Sequence, residues 1–239
     1  MAAGPARQVG RVTALARYPV KSMAGERLDR VDVASRGLVG DRAWAAYTAD
    51  GGIGSGKTTR RFRKVPGLLD LGARLGADDV PWLEIDGVER RVDDPETSAA
   101  LSERLGQPLA LRPEGAVPHH DESPIHLVTT SARRALERSH GGAVDEGRFR
   151  ANVVLETDGD GYVEHEWVGR DLAIGEVVLR VGPGMPRCVM VDLAHGGAGL
   201  PAAPGLLRTI GRVNGLDLGV QASVVRGGVL RLGDSAFVC

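Results

Sequence analysis

The sequence predicts a mainly β protein with few helices, and three observations carry that prediction. Its 239 residues include 34 glycines and 13 prolines, and most intervals between them are short and rich in Val and Leu, which favours strands over helices. Turn signals at Asp50-Gly51 and Asp86-Gly87 close such intervals in the manner of hairpins. Only two segments carry convincing helix start and stop signals.

In chain order, QVGRVTALARYPV, RLDRVDVAS and RAWAAYTADG read as successive strands, the last ending at Asp50-Gly51. PWLEIDGVERRV reads as a hairpin about Asp86-Gly87. A helix follows, with Asp94 as its cap, Pro95 in its first position and Gly106 as its stop. A second helix starts near Thr129 or Thr130 and stops before Gly141-Gly142. AIGEVVLRVG and ASVVRGGVLRLGD then return to strands. The stretch from Gly106 to His120, with three prolines and little periodicity, is the best boundary between two units, 1–110 and 111–239.

Lys plus Arg (30) nearly balances Asp plus Glu (31), so no field of one sign points to nucleic acid or an anionic membrane as the main partner. A small anionic ligand remains open. The opening MAAGPARQVG has no apolar run suited to a signal peptide, and no later run has the length of a membrane span. The expectation is a soluble, cytoplasmic protein. Its two cysteines, Cys188 and Cys239, make neither a disulfide framework nor a C-x-x-C site; a functional cysteine here acts alone.

GGIGSGKTT, 51–59, fits the phosphate-loop pattern, with Gly51, Gly56, Lys57 and Thr58 in the defining places. That pattern needs a helix after the loop, whereas TRRFRKVPG offers only Phe62 and Val65 before Pro66. CVMVD could imitate a second nucleotide motif at Asp192, but the alternating helices of a doubly wound sheet are missing. The stretch is therefore read as a glycine-rich hairpin loop, with Lys57, Arg60, Arg61, Arg63 and Lys64 as a solvated basic strand and loop; the alternative is a basic lip beside an anionic site.

Four cation-bearing stretches sit beside turn-forming residues: YPVKS, VGDRAW, RFRAN and GMPRC. Arginine forks suit phosphate, and Ser, Asn or loop amides complete such a cage. Cys188 lies in a Gly/Pro loop next to Arg187 and before an apolar segment VMV, read as a strand. A neighbouring cation favours thiolate, the form that binds metal or attacks. No Cys or His partner stands at ligand spacing, so a metal here must bring most of its ligands with it.

These stretches, with Gly25 after YPVKS, GLVGDRAW, DGGIGSGK, HDESPIHLVTTSA and the closing VLRLGD, occur in an order that resembles the MOSC family, named for the C-terminal part of molybdenum-cofactor sulfurase. The likeness is to its two-part members related to the mitochondrial amidoxime-reducing component. The resemblance implies a β-barrel-like N-terminal domain and a β-barrel MOSC domain that together bind molybdopterin. It makes Cys188 the protein ligand to molybdenum and the catalytic residue. It makes Lys21, Ser22, Arg42, Asp121, Ser123, Arg150, Asn152 and Arg187 cofactor contacts. A cofactor that carries its own sulfur ligands would explain a solitary cysteine, and its phosphate would explain scattered cations in loops. Lys57 would neighbour the cofactor or substrate without binding ATP.

Ala151 stands where many relatives have proline, which leaves Arg150 and Asn152 in place. The implied activity is reduction of N-hydroxylated small molecules; the alternative is a carrier of the molybdenum cofactor or of persulfide sulfur on Cys188. The chain has no four-cysteine cluster and no G-x-G-x-x-G fingerprint after a strand. A separate electron donor, an iron-sulfur protein or a flavodoxin with its reductase, is therefore expected, with Arg60 to Lys64 as its docking patch. His119 and His120 are read as exposed loop residues, with proton delivery to substrate as the alternative. Cys239 is read as incidental.

Overall fold

The computed structural model describes residues 6–239. Seven strands close a barrel in the order Val153–Glu156, Ile125–Thr129, Asp217–Arg226, Val177–Pro186, Asp171–Ile174, Ser235–Val238 and Arg7–Arg17, the last pairing back onto the first. All neighbours are antiparallel except Ile125–Thr129 beside Val153–Glu156. Closure leaves no unpaired sheet edge. Side chains alternate along each strand. Leu127, Val153 and Leu155 fill the interior with Leu15, Leu179 and Trp167. Their neighbours Val128 and Val154 face outward and are covered by the helices Thr130–His140 and Leu206–Asn214.

The remaining N-terminal residues form a second β body around Val20, Met23, Leu68, Leu83, Leu101 and Leu111. It holds a four-stranded sheet, in the order Leu109–Pro113, Trp44–Thr48, Ile53–Ser55 and Phe62–Lys64, and a three-stranded one, with the helix Pro95–Leu105. The chain crosses between the bodies more than once. Its first strand is a stave of the barrel, and Arg30–Ala34 pairs with Gly228–Arg231. The proline-bearing stretch expected to separate two units begins with Leu109–Pro113, which is paired to Trp44–Thr48.

Local signals explain the expected elements. Asp86 and Gly87 have φ of 52° and 78°, the left-handed pair that a tight hairpin turn needs. The Asp94 carboxylate accepts from Glu96 N–H, and Gly106 closes that helix in a left-handed conformation. Thr129 caps the second helix by accepting from Ala132 N–H.

Two expectations are corrected. A third helix, Leu206–Asn214, follows Gly205, which has no side chain to cap it. The acceptor comes from a distance instead: Asp192 Oδ1 takes Leu207 N–H at 2.8 Å. The VMV segment is no strand; Val189–Asp192 is a 3-10 turn that brings Asp192 to that helix. Among the described residues no helix is long and apolar enough to cross a membrane.

Candidate functional site

One rim of the barrel gathers loops from both bodies. The strands Arg7–Arg17 and Val177–Pro186 end there, and Ile125–Thr129 and Val153–Glu156 begin there. The second body closes over this rim with the loops that carry Lys21, Ser22, Arg42 and Lys57. The resulting cavity is lined by all nine residues singled out in the sequence: Lys21, Ser22, Arg42, Asp121, Ser123, Arg150, Asn152, Arg187 and Cys188. Lys57, His120, Glu122, His126, Arg148, Met185 and Met190 also line it.

Its electrostatics are one-sided. Six cations, Lys21, Arg42, Lys57, Arg148, Arg150 and Arg187, face two carboxylates, Asp121 and Glu122. Asp121 bridges two of them, with Oδ2 2.9 Å from Lys21 Nζ and Oδ1 3.3 Å from Lys57 Nζ. Burial opposes the ionisation of Asp121, but the two lysines outweigh it and hold its carboxyl well below the usual range. Burial pushes Lys21 down to about 8 in spite of Asp121. Burial likewise lowers Arg150 to about 10 and lowers Arg187. The buried Tyr18 ring lies against two of the guanidiniums, 4.2 Å from Arg150 Cζ and 5.0 Å from Arg42 Cζ.

The backbone is strained at the same place. Six non-glycine residues among those described have left-handed φ, and Ser22 (65°), Arg42 (50°) and Arg150 (52°) are three of them. Such conformations cost about 1 kcal/mol or more each and persist where surrounding structure over-determines them. Arg42 is held by the Asp41 carboxylate and by Arg150 O at 3.1 Å, and Arg150 Nη1 donates to Met23 O at 2.7 Å.

Several cavity atoms have no partner. Of eight buried polar side-chain atoms without a hydrogen bond among the described residues, four belong to the lining: Ser22 Oγ, His120 Nδ1, Arg150 Nη2 and Arg187 Nε. Buried orphans are costly in an isolated fold, and the three donors among them, Ser22 Oγ, Arg150 Nη2 and Arg187 Nε, suit an anionic ligand in a cationic cavity. Asn152 is different. Its Oδ1 accepts from His126 N–H at 3.1 Å and its Nδ2 donates to Ala16 O at 3.3 Å, so its amide ties the strand starts together. Ser123 Oγ donates to Ile125 O at 2.8 Å. Among the described residues no group of three or more His, Cys, Asp or Glu side chains gathers as a metal site, and half-buried Cys188 stands alone.

The phosphate-loop stretch has another use. Gly51, with φ 79°, makes the expected turn, but 53–55 is a strand paired in parallel with Phe62–Lys64, so only its first half is a hairpin. A Cβ on Gly56 would meet Met190 Cγ at 3.1 Å and Leu193 Cδ1 at 3.3 Å. The glycine therefore lets the segment after Cys188 pack closely on this strand. The basic run is only partly solvated: Arg61 Nη2 donates to His120 O at 2.7 Å, and Arg63 Nε pairs with Asp50 at 2.6 Å. Arg60 and Lys64 remain exposed.

The expectation of two exposed histidines is also corrected. His119 is fully buried, and both its ring nitrogens are engaged. Arg148 and Tyr18 lie within the stretches RFRAN and YPVKS but are not among the residues expected to form the site. The basic alternation of RFRAN was a signal for Arg148; nothing local marks Tyr18.

The fold is thus a closed barrel with a second β body over its rim, and the site is a cationic cavity between them with one thiol at its wall. The MOSC domain model matches residues 114–236 and the MOSC N-terminal beta barrel domain model matches 9–100. The chain belongs to the MOSC family, which is associated with molybdenum-cofactor binding and with enzymes that depend on that cofactor. Among solved structures it is similar to the YuaD protein of Bacillus subtilis, at 14% identity and a TM-score of 0.55, over 98% of this chain and 97% of that one. YiiM of Geobacillus stearothermophilus matches more loosely, at 17% identity and a TM-score of 0.39, over 49% of this chain and 54% of that one. The first of these likenesses concerns the fold. A search of curated proteins finds no match.

Proposed function

We propose that this chain is a molybdenum-cofactor-dependent oxidoreductase that reduces N-hydroxylated small molecules in the cytoplasm, with electrons from a separate carrier protein. The observation that carries the reading is the cavity itself: a solitary Cys188 beside six cations and four unpartnered polar atoms, in a MOSC chain. This inventory fits a bulky anionic cofactor that brings its own sulfur ligands.

In this reading Cys188 Sγ is the protein's one ligand to the metal. Arg42, Arg150 and Arg187 hold the cofactor's anionic and polar groups, and Ser22 Oγ and the free guanidinium nitrogens acquire the partners they lack. Lys21, kept charged against its burial by Asp121, adds a further cation. When bound, the cofactor supplies two-electron redox chemistry at its metal. The reduction breaks the substrate's N–O bond, consumes two electrons and two protons, and releases the oxygen as water. The electrons come from an iron-sulfur protein or a flavodoxin with its reductase, and exposed Arg60 and Lys64 suit an acidic carrier.

The test is metal and pterin analysis of protein made in a host that supplies the cofactor, with turnover of an amidoxime. About one molybdenum per chain and carrier-dependent turnover are expected, and NADH or NADPH alone should not sustain it. A protein without molybdopterin would overturn the reading. Bound pterin and sulfane sulfur on Cys188 without turnover would make it a carrier instead.

A further inference from the structure

The two adjacent histidines have opposite surroundings. His119 is closed off: its ring meets Tyr47 Oη at 2.9 Å and Arg42 O at 3.0 Å, and its N–H donates to Glu114 at 2.6 Å. His120 lines the cavity that Cys188 lines, and its Nδ1 is buried with no partner among the described residues. The loop that carries it is held in place, since Arg61 Nη2 donates to the carbonyls of His120 and Asp121 at 2.7 and 3.1 Å.

Acceptors are scarce in this cavity. The two Asp121 oxygens are taken by Lys21 and Lys57, Asn152 Oδ1 is taken by His126 N–H, and the one unpaired carboxylate in the lining, Glu122, belongs to an exposed residue at the mouth of the site, against six cations. Burial lowers the affinity of His120 for a proton; Glu114 opposes this, and Arg36, Arg42 and Arg61 reinforce it. The imidazole is accordingly neutral near pH 7, and a neutral imidazole keeps one nitrogen as an acceptor. A substrate hydroxyl needs such a partner among so many donors.

Resting on the cofactor-dependent reading above, we propose that His120 contacts the substrate, its Nδ1 accepting a hydrogen bond from the hydroxyl of an N-hydroxylated compound. The deoxygenated product lacks that hydroxyl and would leave Nδ1 unpaired again. A site built around a substrate hydroxyl discriminates against the analogue without it. His120 thus favours substrate over product.

The experiment uses cofactor-loaded protein with benzamidoxime as the probe. Histidine-labelled protein is titrated by NMR, and the His120 Cε1–H signal is assigned by its loss in His120→Phe. The expected result is saturable movement of that signal, about tenfold weaker probe binding in His120→Phe, and recovery in His120→Asn, whose amide can again accept. Unchanged affinity in a folded His120→Phe, or a His120 signal that ignores the probe, overturns the proposal. Reduction is assayed separately with a chemical reductant. Probe binding through His120 without turnover would sink the reductase reading and support the contact; turnover with the same KM in wild type and His120→Phe would do the reverse.

Discussion

At Lys21 stability and the site compete. The ammonium is 4% exposed, and burial brings its pKa from 10.5 to about 8. Between those values the unfolded chain binds more protons than the folded one, so stability rises with pH across pH 8 to 10.5. Below pH 8 the cost of the buried charge is fully present. Relative to Lys21→Met, wild-type protein should gain up to roughly 3 kcal/mol over that window, measured by urea denaturation at a series of pH values. A difference that stays flat with pH would contradict the buried-charge account. The variant should also retain less molybdenum, because the cavity loses a cation. Cys188 lies at the other extreme. It is a half-buried thiol with no structural partner assigned to it, so Cys188→Ala should melt within a few degrees of wild type and lose bound molybdenum and turnover. Full activity in that variant would remove Cys188 from its proposed place.

Among the elements, the glycine-rich strand and the turn after Cys188 depend on each other. Gly56 is small because Met190 and Leu193 lie over it, and Asp192, at the end of the same turn, caps the helix Leu206–Asn214. Asp192→Ala should cost about 1 kcal/mol, the usual value of a lost cap, read as a lower denaturation midpoint. Gly56→Val should cost more, since a branched side chain presses on two packed neighbours, and it should loosen cofactor retention by moving the segment next to Cys188. Lys57 faces Asp121 and the Phe62 ring rather than a nucleotide. Wild type and Lys57→Ala should therefore show no saturable ATP binding by calorimetry; binding lost in the variant would restore the phosphate-loop reading.

For the whole molecule, the decisive feature is that Arg7–Arg17 is the stave that closes a barrel otherwise built from residues 125–238. A fragment of residues 111–239 would expose the edges of Val153–Glu156 and Ser235–Val238, which that strand covers. It should fail to give a cooperative melt or a dispersed NMR spectrum, and adding back the N-terminal residues should restore both. A well-folded fragment would show that the barrel closes without its first strand. The same interlocking places the cavity: three of its six cations precede the chain's midpoint and three follow it, yet all meet at one rim, so the site exists only when both bodies do.

The sequence by itself determined the mainly β class, the Asp86-Gly87 hairpin and the first two helices, because these rest on neighbours a few residues apart. It also determined the family, through motifs whose order survives in the chain. All nine residues picked from those motifs line one cavity, although their separations run to well over a hundred positions. The tertiary structure decided the rest. The third helix was invisible because its cap, Asp192, is borrowed from fifteen residues away. The fate of His119 and His120 could not be read from HH, since the complete burial of the first and the partial burial of the second depend on Tyr47, Arg42 and Glu114 in distant segments. The left-handed backbones of Ser22, Arg42 and Arg150 have no glycine to announce them. Gly56 satisfies a phosphate-loop pattern and is used for packing, because a glycine's lack of a side chain serves either purpose and only its three-dimensional neighbours say which.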